Sequence, residues 1–358
     1  MIPVIDIEPL VKFSCGHLNS TSAELENVVK AIADACQNYG FFAAINHGVD
    51  TTTINDAWNE SIGFFDMELA IKQSVSMADD YPYGYENYEA LGVQRSASDT
   101  NNTTKGGASL RDSKETFSLG PSNPELSNMP PRRFPVGASP PFAPALTRYY
   151  SAMEHLAKIL FRGLALALKL DDDSWFLQEG RFDDGHQCAL RILNYPELEY
   201  VYTDTDASDV HIRAGAHTDY GAITILKSGG PGLQLQLSKD KGSSTWIDVP
   251  HLEGSFVINL GDLMQRWTND KWTSTVHRVV ATNTENLDDT EAGDGGEKVF
   301  KSARRQSIAF FVNMNGSATV SPLKTCIDEQ NPSRYIPIKA SDHLIQRHKQ
   351  SMMAKHEK

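Results

Sequence analysis

The chain has 358 residues, 40% of them hydrophobic and 22% charged, which is enough apolar material for a large core and far from the charge-rich, aromatic-poor composition of disorder. Its 46 acids outweigh 33 lysines and arginines, and the formal charge of −13 argues against nucleic acid or anionic membrane as a partner, since both are gripped through Lys and Arg. Four scattered cysteines without a CxxC, no basic-then-apolar leader, and no apolar run near the ~18 residues of a membrane span are read as a reduced, cytoplasmic chain.

A short apolar strand opens the sequence at Val4–Ile7. Leu25, Val28, Val29, Ile32 and Cys36 then recur at helical spacing behind a Thr21-x-x-Glu24 capping box, with Gly40 as the stop. Phe41–Ile45 reads as a buried strand ending at Asn46-His47-Gly48, and a second helix is expected over Ile54–Lys72. Residues 73–140, with Tyr/Gly/Asn clusters, the polar run Ser96–Lys105 and two Pro-Pro pairs, read as surface loops. A scaffold helix follows over Ala145–Lys169, its stripe formed by Leu146, Tyr149, Tyr150, Met153, Leu156, Leu160 and Leu164. From Cys188 to Val312 the texture changes to short β-rich runs (189–193, 222–226, 233–237, 255–260, 275–281 and 307–312), the spacing of a sandwich or barrel. The acidic, glycine-containing segment Glu285–Glu297 interrupts them and is expected to be a mobile solvated insertion joining the strand of His277 to the strand of Arg305.

Within this β-rich part, His217-Thr218-Asp219 sets two metal-ligand side chains at i and i+2, on one face of an extended strand. His277 lies in a later apolar run that antiparallel pairing can bring alongside. Two imidazoles and one carboxylate are a facial triad, which holds Fe(II) and leaves coordination positions open for chemistry. In a chain with eleven histidines an HxD pair alone is a weak signal, but Arg305-Gln306-Ser307 opens the last strand and repeats the i, i+2 pattern. A guanidinium fork and a hydroxyl on one face can grip the far carboxylate of a dicarboxylic cosubstrate.

With these motifs the sequence resembles the iron/ascorbate-dependent, isopenicillin N synthase-like branch of the Fe(II)/2-oxoglutarate dioxygenases over nearly its whole length. The likeness rests on Ile2–Asp6, Tyr39–Val49, Lys114-Glu115-Thr116-Phe117, Arg213–Gly221, Gly232–Leu235, Val257–Asp262, Ser274–Val279 and the RxS triplet, in that order. The resemblance implies an α+β fold with a mainly β core, a double-stranded β-helix (jelly roll) carrying N-terminal and scaffold helices. The implied division is a non-haem dioxygenase N-terminal region at 1–140, the scaffold helix at 141–185, the catalytic core at 186–317, and a C-terminal segment at 318–358 that is helical at its end. His217, Asp219 and His277 become the iron ligands. Arg305 and Ser307, with Tyr195 of Asn194-Tyr195-Pro196, become the 2-oxoglutarate contacts. Asn194 stands one place away from the asparagine of the family pattern and is expected to face the other side of its strand.

The activity so implied is oxidation of a small-molecule, secondary-metabolite substrate with Fe(II), 2-oxoglutarate and O2, supported by ascorbate, releasing succinate and CO2. Hydroxylation, desaturation and ring closure all begin with the same hydrogen removal. Two other readings stand beside it: an iron oxidase or cyclase of the same fold that does not use 2-oxoglutarate, and a non-catalytic jelly-roll binding protein. The protein is expected to be a monomer. Substrate-contact candidates are Tyr85, Tyr220, Trp267, Phe311 and Asn313, chosen for their nearness to the motifs or their place in the preceding loops.

Overall fold

The computed structural model describes residues 1–78, 80–87, 114–203, 211–240, 243–283 and 297–356. The polar run Ser96–Lys105 and the acidic residues 285–296 lie outside them. In chain order the strands that frame the site are β1 (Val4–Asp6), β2 (Phe41–Ile45), β3 (Gly84–Asn87), β4 (Glu115–Leu119), β5 (Ala189–Tyr195), β6 (Leu198–Thr203), β7 (Ile212–His217), β8 (Ile223–Ser228), β9 (Leu233–Asp240), β10 (Ser243–Asp248), β11 (Phe256–Leu260), β12 (His277–Val280), β13 (Glu297–Ser302) and β14 (Arg305–Val312). Among the described residues, a major sheet runs β1-β2-β11-β8-β14-β5-β4-β3 and a minor sheet runs β10-β9-β12-β7. The two face each other as a double-stranded β-helix.

Strand alternation divides the major sheet into two faces. Ile192, Ile223, Ile225, Ile308, Phe310 and Val312 point outward into the larger core beneath the helices. Tyr195, Leu193, Leu226 and Val257 point inward and join Leu233, Leu235 and Val279 of the minor sheet. The outer core is closed by α1 (Glu8–Ser14), α2 (Ala23–Asn38), α3 (Thr51–Phe65), α4 (Leu69–Gln73), α5 (Pro124–Ser127) and α6 (Phe142–Ala167). All seven stripe residues expected on the scaffold helix are buried in α6. Its Tyr150 packs edge-on against Phe310, with ring centroids 4.9 Å apart, and donates its hydroxyl to the Cys188 carbonyl at 2.9 Å.

Several boundaries differ from the sequence reading. The helix expected over 54–72 is two helices, α3 and α4, and Asp50 caps the first through the Thr53 amide at 2.8 Å. The residue at the N-cap of α2 is Ser22 rather than Thr21, and its side chain makes no capping bond. Residues 73–140 are not all loop, since β3 and β4 extend the major sheet. The chain between His277 and Arg305 also contains β13, which pairs antiparallel with β6 from Glu297↔Thr203 to Ser302↔Leu198. The strand of His277 therefore does not lead directly to that of Arg305. Two more helices, α7 (Asp262–Trp267) and α8 (Ala340–His356), complete the chain. No helix of the described residues is long and apolar enough to cross a membrane.

Gly40 sets the entry into β2. Its φ is +65°, and a Cβ there would lie 2.2 Å from the Thr273 carbonyl oxygen, just upstream of the strand that carries His277. Gly40→Ala should therefore lose at least about 1 kcal/mol from the left-handed backbone alone, with a further loss from that collision. A thermal-unfolding midpoint equal to that of the unmodified chain would contradict this account.

Candidate metal centre

His217 is the last residue of β7, and Asp219 lies two residues beyond the strand end. The expectation that one extended strand carries both is thus corrected. The chain bends after His217 because the backbone of Asp219 is held elsewhere: its carbonyl accepts the Asp262 amide at 2.8 Å, at the start of α7. Gly261 permits that approach, since a Cβ there would lie 2.3 Å from the Gly221 oxygen and 3.0 Å from the Asp219 oxygen.

His277 stands directly opposite His217 in the β12–β7 pairing, with ring centroids 4.4 Å apart. Each imidazole has its Nδ1 committed to a carbonyl, which can only accept: Gly215 at 2.8 Å for His217 and Thr275 at 3.0 Å for His277. With Nδ1 so engaged, each ring turns its Nε2 toward the carboxylate, 3.8 Å from Oδ1 of Asp219. Phe41 meets the His277 ring edge-on at 5.4 Å and fixes its plane. The other carboxylate oxygen, Oδ2 of Asp219, accepts from Thr224 Oγ1 at 2.5 Å and Asn259 Nδ2 at 2.7 Å. Those two bonds leave Oδ1 turned toward the imidazoles.

The electrostatics agree with a cation site. Desolvation, then the neighbouring His277, push the pKa of His217 down to about 4, although 43% of the side chain meets solvent at the barrel mouth. At neutral pH that imidazole carries a free lone pair. Burial works to raise the Asp219 pKa, but His277, His217 and the Thr224 and Asn259 hydrogen bonds outweigh it and hold the carboxyl below its ordinary value. Two imidazoles and one carboxylate, with ligand atoms within 4.8 Å of one another, fit a divalent metal that keeps open positions.

At the other end of the barrel interior, Arg305 is 7% exposed. Its Nε donates to the Pro231 carbonyl at 3.1 Å and its Nη2 to Ser228 Oγ at 2.8 Å, while Nη1 is buried without a hydrogen-bond partner among the described residues. Ser307 faces the same interior, in register with Ser228 on β8 and Leu193 on β5. The Tyr195 ring lies 5.3 Å from the Arg305 guanidinium carbon. Asn194 faces the opposite way, as expected, and binds Glu115.

The substrate-contact candidates fall in different places. Tyr85 and Trp267 are corrected out of the site, for both belong to the outer core. Tyr85 packs on Phe64 and donates its hydroxyl to Glu115, and Trp267 packs on Phe176. Phe311 lies on the interior face of β14, between the outward Phe310 and Val312. Asn313 is committed to the Gln187 carbonyl at 3.0 Å. Tyr220 sits in the ligand loop under the Arg347 guanidinium, which lies 4.9 Å from its ring.

Sequence reasoning missed the supporting residues. Thr224 and Asn259 orient Asp219 but carry no ligand-type side chain. Arg347 of α8 donates to Thr218 Oγ1 at 3.0 Å and pairs with Asp262 at 2.8 Å, so the C-terminal helix is tied to the ligand loop on both sides. An arginine so far past the last motif offers no local signal of this.

His217→Ala, Asp219→Ala and His277→Ala should each abolish binding of Mn(II) or Co(II), followed by calorimetry, while circular dichroism shows a folded chain. Asn259→Ala should weaken the same metals by roughly 10–100-fold, the usual effect of removing a residue that orients a ligand. Wild-type affinity in Asn259→Ala would show that Asp219 is held well enough by Thr224 alone.

Comparison with known proteins agrees with this geometry. Residues 2–136 match the family model "non-haem dioxygenase in morphine synthesis N-terminal", and residues 187–314 match "2OG-Fe(II) oxygenase superfamily". The chain is 31% identical over 365 residues to the 2-oxoglutarate-Fe(II) type oxidoreductase ppzC of Metarhizium rileyi, covering 97% of this chain and 86% of that protein. It is 33% identical over 288 residues to the 2-oxoglutarate-dependent dioxygenase traH of Penicillium crustosum, covering 78% and 79% of the two chains. Among solved structures, a full-length Neurospora crassa protein in complex with alpha-KG and thymine superimposes with a TM-score of 0.75 at 26% identity, covering 97% of this chain and 96% of that one. The chain belongs to the 2OG-Fe(II) oxygenase superfamily, and it is an Fe(II)- and 2-oxoglutarate-dependent dioxygenase whose facial triad is His217, Asp219 and His277.

Proposed function

We propose that the chain oxidises a C–H bond of a small secondary metabolite, with 2-oxoglutarate anchored by Arg305, Ser307 and Tyr195 and released as succinate and CO2. The single observation that carries the anchor is Arg305 Nη1, a charged donor buried without a partner inside the barrel. Leaving such a group unsatisfied is costly, and a carboxylate meeting it from the metal side removes the cost. The rest of the guanidinium is already fixed by Pro231 and Ser228, so the fork is oriented before the diacid arrives. Ser307 adds a hydroxyl on the same face, and Tyr195 walls the guanidinium on its side.

The bound metal supplies activation of oxygen coupled to decarboxylation of the diacid. The protein's own contribution is position and exclusion of water. Asp219 and the two imidazoles present three donors from one side only, and the apolar interior of Leu193, Leu226, Leu235 and Val257 keeps solvent from the cosubstrate chain. The fungal relatives, which carry names such as "Clavatol oxidase claD" in Penicillium crustosum, support a secondary-metabolite substrate.

Arg305→Lys should raise the KM for 2-oxoglutarate by at least about tenfold, because a point charge replaces a forked donor. Succinate release with Fe(II) and ascorbate measures this, and Mn(II) affinity should stay unchanged. Arg304→Ala provides the contrast: its side chain lies on the other face, bonded to Asn194 and Asp66, so stability should fall while the KM stays near normal. A normal KM in Arg305→Lys would move the anchor elsewhere.

A further inference from the structure

The arginines around the barrel have different fates. Arg213 is buried and donates to the carbonyls of Tyr195, Ser302 and Ala303. Arg304 is paired with Asp66 and Asn194. Arg305 is the anchor proposed above. Arg191, in the middle of β5, has none of these roles. Leu190 and Ile192 on either side of it point into the outer core, and Leu193 and Tyr195, at alternate positions, point inward. Arg191 therefore shares the interior face with Arg305.

Its contacts agree. Arg191 Nε donates to Ser118 Oγ on β4 at 2.9 Å, and its guanidinium carbon lies 5.7 Å from the Phe311 ring on β14, beyond close stacking. Among the described residues Arg191 has no other polar partner and no carboxylate pairs with it. Nη1 and Nη2 of a side chain on the chamber face of β5 are thus left without a hydrogen-bond partner among the described residues, and one hydroxyl holds the guanidinium.

Register places this fork relative to the metal. Across the major sheet, Leu226, Ala309 and Arg191 form one row, and Thr224, Phe311 and Ala189 form the next. Thr224 holds the metal ligand Asp219. Arg191 consequently sits one row from the metal end and two strands aside from β8, about 10 Å at the usual strand spacing. Arg305 lies in the row of Tyr195, farther down the same face. A cosubstrate running from the metal toward Arg305 leaves the space between the metal and Arg191 to a second molecule.

We infer that Arg191 is a substrate-binding residue and that the substrate of this enzyme carries a carboxylate, or a comparably compact anion, a few bonds from the carbon that is oxidised. This rests on the reading of the site given above and deepens it by assigning a substrate class. A forked donor beside an aromatic ring, in a chamber walled by aliphatic side chains, selects a planar anion with an apolar body.

The test uses the full chain loaded with Co(II), saturated with 2-oxoglutarate and kept anaerobic, with trifluoroacetate as the carboxylate probe. Paramagnetic relaxation of its fluorine signal reports only molecules bound near the metal, so carboxylates on surface lysines and arginines are silent. The expected result is an enhancement that persists at saturating 2-oxoglutarate, falls at least tenfold in Arg191→Gln, and is partly retained in Arg191→Lys. Arg305→Gln should instead weaken 2-oxoglutarate and leave the probe site, which separates failure of the anchor from failure of this assignment. The inference is overturned if saturating 2-oxoglutarate abolishes the enhancement, if Arg191→Gln leaves it intact, or if Arg191→Gln weakens 2-oxoglutarate as much as the probe. Should Arg191→Gln fail to fold by circular dichroism, Ser118→Ala keeps the charge but frees the fork, and unchanged enhancement there together with none lost in Arg191→Lys would also overturn it.

Discussion

The site depends on one buried carboxylate. Asp219 is 7% exposed, and an ionised group so placed must be compensated by hydrogen bonds and opposite charge. Thr224 on β8 and Asn259 on β11 supply the hydrogen bonds, and the imidazoles on β7 and β12 stand with Asp219 around the place a divalent cation would take. One oxygen is saturated by the major sheet, and the other is left to the metal and the minor sheet. The ligand geometry is therefore a consequence of how the two sheets are held apart. The loop that carries Asp219 is fixed again from outside, where Arg347 grips Thr218 and Asp262 and covers Tyr220. A helix from the end of the chain thus becomes part of the support of a ligand far from it in sequence.

The second constraint is strand register. On β14, Arg305 and Phe311 share one face six residues apart, about 20 Å of extended chain. Phe311 is opposite Thr224, the residue that holds Asp219, so the two ends of the site are defined by one strand. In the binding proposed above, the arginine side chain and a five-carbon diacid divide that length between them. A slip of one residue between β14 and β8 would turn Arg305 and Ser307 outward and bring Gln306 and Ile308 in. The outward residues Ile308, Phe310 and Val312, sunk beneath α6, oppose any such slip.

The ligand residues were legible in the sequence because their types are chemically distinctive and their order is informative. Their supports were not, because Thr224 and Asn259 are ordinary strand residues whose role exists only across a sheet. The bend after His217 was also invisible, since it is set by the Asp262 amide, which arrives from far along the chain. Tyr85 and Trp267 show a different limit. Nearness to a motif says nothing about the face on which a residue falls, and pairing of Tyr85 with Phe117 on β4 commits it to the outer core. The β6–β13 ribbon escaped notice because short mixed runs such as Lys298-Val299-Phe300-Lys301 lack a sustained alternation. The scaffold helix was read closely, having a long uninterrupted 3.6-residue stripe.

Two adjacent arginines show how the same residue type acquires two roles from alternation alone. Arg305 opens β14 and Arg304 immediately precedes it, and the side to which each points decides its partners. On the helix side, Glu115 accepts from Lys72 Nζ at 2.8 Å, Tyr85 at 2.7 Å and Asn194 at 2.9 Å, and Asn194 in turn accepts from Arg304 at 2.7 Å. Every charge in that chain of contacts has a partner, so it works as a structural clamp across α4, β3, β4, β5 and the residue that leads into β14. On the barrel side, Arg305 donates to a carbonyl and a hydroxyl, and its Nη1 has no hydrogen-bond partner among the described residues. The displaced asparagine of Asn194-Tyr195-Pro196 belongs to the first arrangement and the tyrosine beside it to the second. The saturated network holds the strand ends so that the unsatisfied guanidinium stays aimed inward, and the stability of one face sustains the unfilled valence of the other.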